Sequence, residues 1–461
     1  MAAQEARPRT VGVVLAGGVG QRVGLGMPKQ LLRVAGRTII EHTLAVFEAA
    51  PEIDEIVVLM APGHVAEVEE IVRRGGFGKV SKVVEGGASR TESTWRALRA
   101  LGPQECDVLL HDAVRPLVEP RIITGCVEAL RTHRAVTAAI PSSDTMVVAA
   151  PGPHGEVIQD VPDRSRLRRV QTPQGFRLSV IRRAYERALA DPEFANRPAT
   201  DDCGVVLRYL PEVPIRLVPG SEHNMKVTHR VDVHIAERLF ELAGRAAPAV
   251  AAPRIRRRAL EGGTVVVFDD GDGDDGVGAR VAELAAGYGA AVHRFSRDRD
   301  GVRVEDPASV SDVLGRVAKE SGRIDHVVNV SGVPRAGRLR DLAEPAVAEA
   351  VQIGLLGPVT VARAAFPHLR ETGGQVVPAV FPSGVGDGAA GGLRSTVMAA
   401  AAELTRALAQ EWSDSGVRVN CVSPEPAGMG DDPSPAAVAE VTLDLLVSGL
   451  TGRVVDVPGT P

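Results

Sequence analysis

Twice along this chain, valine-rich runs short enough for strands alternate with amphipathic stretches long enough for helices. The first series carries VGVVLA, EIVVLM, KVVEGG, DVLLHDA, AVTAAIP and PIRLVPG between Val11 and Ala243. The second carries TVVVFDD, AAVHRFS, HVVNVSG, QVVPAVF, RVNCVSP and TGRVVDV from Thr264 onward. Alternation of this kind predicts mostly parallel sheets covered by helices, so the fold class is α/β with two doubly wound domains. Between the series, GRAAPAVAAPRIRRRALE is small, basic and proline-containing with no apolar period. That segment predicts a linker over 244–261, separating a domain over 1–243 from one over 262–461. At 461 residues, 44% hydrophobic and 24% charged, the chain can fill more than one core.

Composition also removes several functions. No run of about 18 apolar residues occurs, and MAAQEARPRT lacks an apolar signal region. A soluble, cytoplasmic protein with no membrane partner is expected. Cys106, Cys126, Cys203 and Cys421 show neither CxxC nor CxxH spacing, which predicts reduced core thiols rather than zinc or disulfides. A net charge of −5 and 3% aromatic residues argue against nucleic-acid binding.

Four clusters in the first domain carry chemistry. LAGGVGQRVGLGMPKQLL, residues 15–32, has glycines that let backbone N–H groups approach a phosphate, with Arg22 and Lys29 in the same loop. It is neither a dinucleotide fingerprint, since Val23 stands where the third glycine belongs, nor a Walker loop, since no GK[ST] follows. LLHDAVRPLV, residues 109–118, is an apolar strand ending in Asp112 and Arg115, where a carboxylate can hold Mg²⁺ against a triphosphate. VPDRSRLRRVQTPQGF, residues 161–176, carries Arg164 and Thr172, and HNMKVTHRVD, residues 223–232, carries Lys226. Alone, each cluster also reads as a solvated surface turn.

In this order the clusters are specific. Through LAGGxGxR, PKQ, EGGxxR, HDAVRP, the D-T of SSDT, TPQ, TDD and KVT, residues 10–243 resemble the cytidylyltransferases that include 2-C-methyl-D-erythritol 4-phosphate and ribitol-5-phosphate cytidylyltransferase. The resemblance implies a nucleotidyltransferase with a Rossmann-like sheet that uses CTP and a polyol phosphate. It implies that Ala16, Gly17, Gly18 and Gly20 line the triphosphate, and that Gly86, Gly87, Arg90 and Ser93 present the cytosine site. Arg22, Lys29 and Lys226 would neutralise charge on the five-coordinate α-phosphorus. Asp112, with Asn224 as a second candidate, would hold Mg²⁺, while Asp112, Arg115, Thr145, Arg164 and Thr172 would face the acceptor. An arm over about 142–169 would reach into a twofold partner, implying a homodimer or a higher homo-oligomer.

The second domain resembles short-chain dehydrogenases/reductases through Gly276-Val277-Gly278, VVNVSG, LTRALAQEW, VRVNCVSPEP and TGRVVDV. Its catalytic pattern departs from that family. Counting back from Leu404 places Arg394 at the tyrosine position and Met398 at the lysine position, with Gly354 for the helper asparagine. Arginine is no general acid near neutral pH and methionine carries no charge. Ser383 alone matches its counterpart. The loop DDGDGDDGVG further sets Asp269, Asp270, Asp272, Asp274 and Asp275 where a pyrophosphate would bind, and each carboxylate at about 5 Å costs about 0.8 kcal/mol even in a water-like dielectric. NAD(P)H is therefore not an expected cofactor.

The leading expectation is CMP transfer from CTP to a polyol phosphate, ribitol 5-phosphate on the strength of the fusion, beside an inactive reductase-like domain. Methylerythritol phosphate is the alternative acceptor. A bifunctional ribulose-5-phosphate reductase/cytidylyltransferase and a non-catalytic scaffold or sensor are the other readings.

Overall fold

The computed structural model describes all residues except 1–7, 19–26, 88, 246–249, 270–272, 274, 334–338, 379–380, 383–391, 425–432 and 458–461. It divides into two compact units, Met1–Phe240 and Glu241–Pro461.

In the first unit, besides the short antiparallel pair Arg33–Val34 and Arg37–Thr38, the strands are β1 (Thr10–Ala16), β2 (Glu55–Met60), β3 (Val80–Glu85), β4 (Asp107–Asp112), β5 (Ala135–Pro141), β6 (Val148–Gly152), β7 (Gly155–Asp160), β8 (Arg168–Arg177) and β9 (Ile215–Pro219). Among the described residues, seven of them form one sheet in the order β9-β5-β8-β4-β1-β2-β3. Only β8 runs antiparallel to its neighbours in that sheet. Side chains along β1 alternate with the period of a strand: Val14 and Ala16 enter one core with Leu44, Phe47 and Ile122, while Val11 and Val13 enter the other with Leu98, Ile181 and Tyr185. Burial on both faces is why the inner strands β1, β2, β4 and β5 read as apolar runs, whereas the edge strands β3 and β9 are largely exposed and mixed in sequence. The chain leaves β1 toward β2 and β3 and then returns to β4 on β1's other side. That reversal makes the carboxyl ends of β1 and β4 the switch point where α/β sheets bind ligands. Strands β6 and β7 pair only with each other, as an antiparallel hairpin apart from the sheet.

In the second unit β10 (Thr264–Asp269), β11 (Ala291–Ser296), β12 (His326–Asn329), β13 (Gln375–Pro378) and β14 (Arg418–Val419) form a parallel sheet in the order β11-β10-β12-β13-β14. Cys421–Pro424 pairs in parallel with Val454–Val457. Among the described residues one continuous helical stretch, Glu344–Thr372, is long and apolar enough by length and composition to cross a membrane, although no unbroken run of about 18 apolar residues marks it. Its Val361, Ala362, Ala365 and Leu369 lie in the core of this unit.

The expectation of a linker over 244–261 needs correction in its second half. Pro253–Leu260 is a helix opened by proline at its first turn. Leu260 joins the core, and the Arg256 guanidinium is buried on the helix Pro435–Val447, bonding Asp444 at 2.9 Å and Glu440 at 2.6 Å. The inward face is carried by one apolar side chain, Leu260, and one charge with two carboxylate partners. A search for apolar period passes over such a helix.

Candidate active site

The loop after β1 and the loop after β3 meet at one hydroxyl. Ser93 sits in the first turn of the helix Arg90–Ala100, which Ser89 caps by accepting from the Glu92 amide. The buried Ser93 Oγ accepts the Gly87 N–H at 3.0 Å. A Cβ on Gly17 would stand 2.9 Å from that oxygen, and one on Gly86 would stand 3.2 Å from it. Glycine at both places is what lets the loops close. The Gly87 N–H takes one lone pair of the Ser93 oxygen and the hydroxyl lies 3.5 Å from the Gly87 carbonyl, which leaves a second lone pair for the expected contact with the base. The Gly86 N–H donates to the Met60 carbonyl at 2.7 Å, so both loop amides are engaged. The Gly86 carbonyl accepts one bond from Arg96 at 3.0 Å and retains a second lone pair, the acceptor that an exocyclic amine requires.

Arg90, beside this loop, donates to Asp202 at 2.6 Å, and the Tyr185 hydroxyl donates to the other oxygen of the same carboxylate at 2.5 Å. Asp202 is fully buried and Tyr185 nearly so. Burial first, then Asp202, keeps the Tyr185 phenol protonated well above its ordinary range.

At the end of β4, Asp112 is met by the Lys226 ammonium at 2.9 Å and by Arg115 at 3.6 Å. Burial alone would push this carboxyl up, but Lys226, then Arg90 and Arg115, outweigh it and hold it down at about 2. The Lys29 ammonium donates to the Val227 carbonyl at 3.2 Å, which brings it to the segment that carries Lys226. Asn224, fully buried, donates to the Thr172 carbonyl at 2.9 Å, and its own carbonyl accepts from Arg115 at 2.7 Å. The fold thus gathers Lys29, Arg90, Asp112, Arg115, Thr172, Asn224 and Lys226, together with Gly17, Gly18, Gly86 and Gly87 above them. Thr145 and Arg164 are exposed beside the β6–β7 hairpin, where Arg164 donates to the Ser143 carbonyl at 3.1 Å. Among the described residues, neither is joined by a hydrogen bond or ion pair to Asp112, Arg115 or Lys226. Gly20 and Arg22 lie outside the described residues.

In the second unit Gly276 is the N-cap residue of the helix Val277–Gly287. A Cβ on Gly278 would lie 2.4 Å from an Asp269 carboxylate oxygen, and Arg294 both pairs with Asp269 and donates to the Gly273 carbonyl at 2.7 Å. Asp275 is exposed and pairs with Arg280 at 3.3 Å, whereas Asp270, Asp272 and Asp274 lie outside the described residues. Arg394 and Met398 stand one helical turn apart on Gly392–Glu411, both half-buried. Gly354 is buried inside a π-helical turn, Gln352–Leu356, and Ser383 lies outside the described residues.

A family model described as 2-C-methyl-D-erythritol 4-phosphate cytidylyltransferase matches residues 10–241, half of the chain. The chain belongs to the 2-C-methyl-D-erythritol 4-phosphate cytidylyltransferase family. A cytidylyltransferase of that name from Thermobifida fusca is 57% identical over 237 residues, 51% of this chain and 94% of its own. A bifunctional ribulose 5-phosphate reductase/CDP-ribitol pyrophosphorylase from Haemophilus influenzae is 32% identical over 463 residues, covering 97% of this chain and 96% of its own. A model described as enoyl-(acyl carrier protein) reductase matches residues 251–440. The chain is therefore a nucleotidyltransferase carrying a short-chain-reductase-like second domain.

In this cytidylyltransferase two fully buried ionisable residues have no role in the motif reading, His111 and Asp202. Both fall inside quoted motifs, HDAVRP and TDD, and that was the available signal. Among the described residues no group of three or more His, Cys, Asp or Glu could hold a metal unaided. The buried Asn224 side-chain oxygen has no partner among them. One carboxylate and one orphaned carbonyl oxygen fit the hard-donor mode in which Mg²⁺ takes the remainder of its shell from water and substrate phosphates.

Proposed function

We propose that the first unit joins the phosphate of a polyol phosphate to the α-phosphorus of CTP. The acceptor phosphate oxygen forms the new P–O bond as the bond to pyrophosphate breaks, so no covalent enzyme intermediate is required. The observation that carries this reading is the meeting of Lys226 and Arg115 on the ionised Asp112 at the switch point of the sheet, with Lys29 held to the carbonyl of Val227, the residue after Lys226. Gly17, Gly18 and Gly20 admit the triphosphate, while Lys29 and Lys226, with Arg22, oppose charge that grows as the α-phosphorus becomes five-coordinate. Asp112, with the Asn224 oxygen, would hold Mg²⁺, whose contribution when bound is to screen the triphosphate. Arg90 and the carbonyls of the Gly86–Gly87 loop receive the cytidine. Arg115 faces the acceptor phosphate from within the chain, and Thr145 and Arg164 reach it in a neighbouring subunit of a homodimer.

The second unit, on this proposal, transfers no hydride. Support comes from Arg394 and Met398, which supply neither a proton donor nor its partner. Two acceptors are each favoured by one observation. The match to a CDP-ribitol enzyme along 97% of the chain favours ribitol 5-phosphate. The 57% identity of the transferase half, the part that handles the acceptor, favours 2-C-methyl-D-erythritol 4-phosphate. Pyrophosphate release from CTP and Mg²⁺, measured with each acceptor side by side, decides between them by kcat/KM. Release with neither would remove the transferase reading altogether.

A further inference from the structure

Beneath the candidate site a closed hydrogen-bond circuit runs through a residue to which the proposed chemistry gives no part. His111, the residue before Asp112 on β4, is fully buried and its ring lies 5.1 Å from that of Phe47. Its Nε2 is 3.2 Å from the Arg115 carbonyl oxygen and its Nδ1 is 3.1 Å from Thr172 Oγ1. The same hydroxyl oxygen accepts the Asp112 N–H at 3.1 Å.

Donor and acceptor accounting leaves one arrangement for a neutral ring. A carbonyl oxygen only accepts, so Nε2 carries the proton. The bare Nδ1 then accepts, so Thr172 donates its hydroxyl proton to it. We propose that His111, as the Nε2–H tautomer, is a positioning residue: it ties the amide of Asp112, the carbonyl of Arg115 and the hydroxyl of Thr172 into one unit. The inference rests on the transferase reading for its consequence, but not for its geometry. Two bonds extend the circuit, from Asn224 to the Thr172 carbonyl and from Arg115 to the Asn224 carbonyl, so the segment bearing Lys226 is held by the same frame. The expected role of Thr172 changes with it. A hydroxyl whose proton points inward to His111 does not donate that proton to an acceptor phosphate.

The test has two arms. In the full-length wild-type protein labelled with ¹⁵N-histidine, the His111 resonances, assigned by their loss in His111→Gln, should show a bare Nδ1 and a protonated Nε2 at neutral pH. The reverse tautomer, or a doubly protonated ring, overturns the inference whether or not the protein turns over CTP. In the kinetic arm, Thr172→Val and His111→Gln should each lower kcat roughly 10- to 100-fold, the range typical of residues that orient a ligand, with KM for CTP changing much less. Thr172→Ser should recover most of the turnover lost in Thr172→Val. The double variant should be little worse than the poorer single one, because both break the same circuit. Losses that multiply, or a Thr172→Val protein with full turnover, contradict the proposal. Should His111→Gln fail to fold, the wild-type spectrum compared with that of Thr172→Val remains decisive.

Discussion

At the scale of single residues, the central pair is Lys226 and Asp112, 2.9 Å apart. An ammonium held there matters most when charge builds on the α-phosphorus, so Lys226→Ala or Lys29→Ala should lower kcat far more than it weakens CTP binding. Loss of one preorganised charge of this kind costs about 3 kcal/mol, or roughly a hundredfold in rate. Steady-state kinetics with CTP varied at saturating acceptor measure it, and near-normal turnover in either variant would take that lysine out of the catalytic set. These cations were legible in the sequence because lysine and arginine beside glycine-rich and strand-end motifs have few other reasons to recur. The role of Thr172 was not. Spacing shows that a hydroxyl is near a site, but only the fold shows which way its proton points and which amide has already claimed its oxygen.

Among the elements, the β6–β7 hairpin leaves apolar side chains uncovered. Val148, Val157 and Ile158 are exposed on it, at 43%, 51% and 65% of their surface, and Arg164 follows in the same extension. If a neighbouring subunit receives this arm, Arg164→Ala impairs the partner's site and Lys29→Ala impairs its own. Mixing the two proteins under verified subunit exchange should then restore activity, since one site of each mixed dimer is intact; no recovery would mean that each site is built within one chain. Strand β12 carries a different prediction. Burial pushes the His326 imidazole from its ordinary 6.5 to about 4. The native unit keeps this ring neutral while the unfolded chain protonates below 6.5. The contribution is therefore fully present above that pH and is lost as pH falls toward the native value, by about 3 kcal/mol at the bottom of the window. In a Trp95→Phe background Trp412 reports the second unit alone, and its urea unfolding should weaken across that range, with the slope flattened by His326→Val. An unchanged slope would assign the acid sensitivity elsewhere. Strands such as these were readable from their valine runs. The helix Pro253–Leu260 was not, because Arg256 faces Asp444 and Glu440 where a helix normally turns leucines.

For the molecule as a whole, two sheets in series were legible from periodicity alone, because a strand buried on both faces leaves an apolar run that no surface segment imitates. Function was legible unevenly. The transferase half needs cations and glycines at the carboxyl ends of β1 and β4, and these are present at the switch point. The reductase-like half keeps the strands and helices that make the fold, and on the proposed reading Arg394 and Met398 stand on the helix where a proton donor and its partner would. The proposed function joins a cytidylyltransferase to a sheet that does no redox chemistry. One experiment tests that joint claim. The full-length protein is incubated with CTP, Mg²⁺ and NADPH, together with either polyol phosphate or with ribulose 5-phosphate, while pyrophosphate and NADPH are followed in the same cuvette. The account predicts pyrophosphate release with a polyol phosphate and a flat NADPH trace throughout. Oxidation of NADPH with ribulose 5-phosphate, followed by pyrophosphate release, would contradict it and make the chain bifunctional.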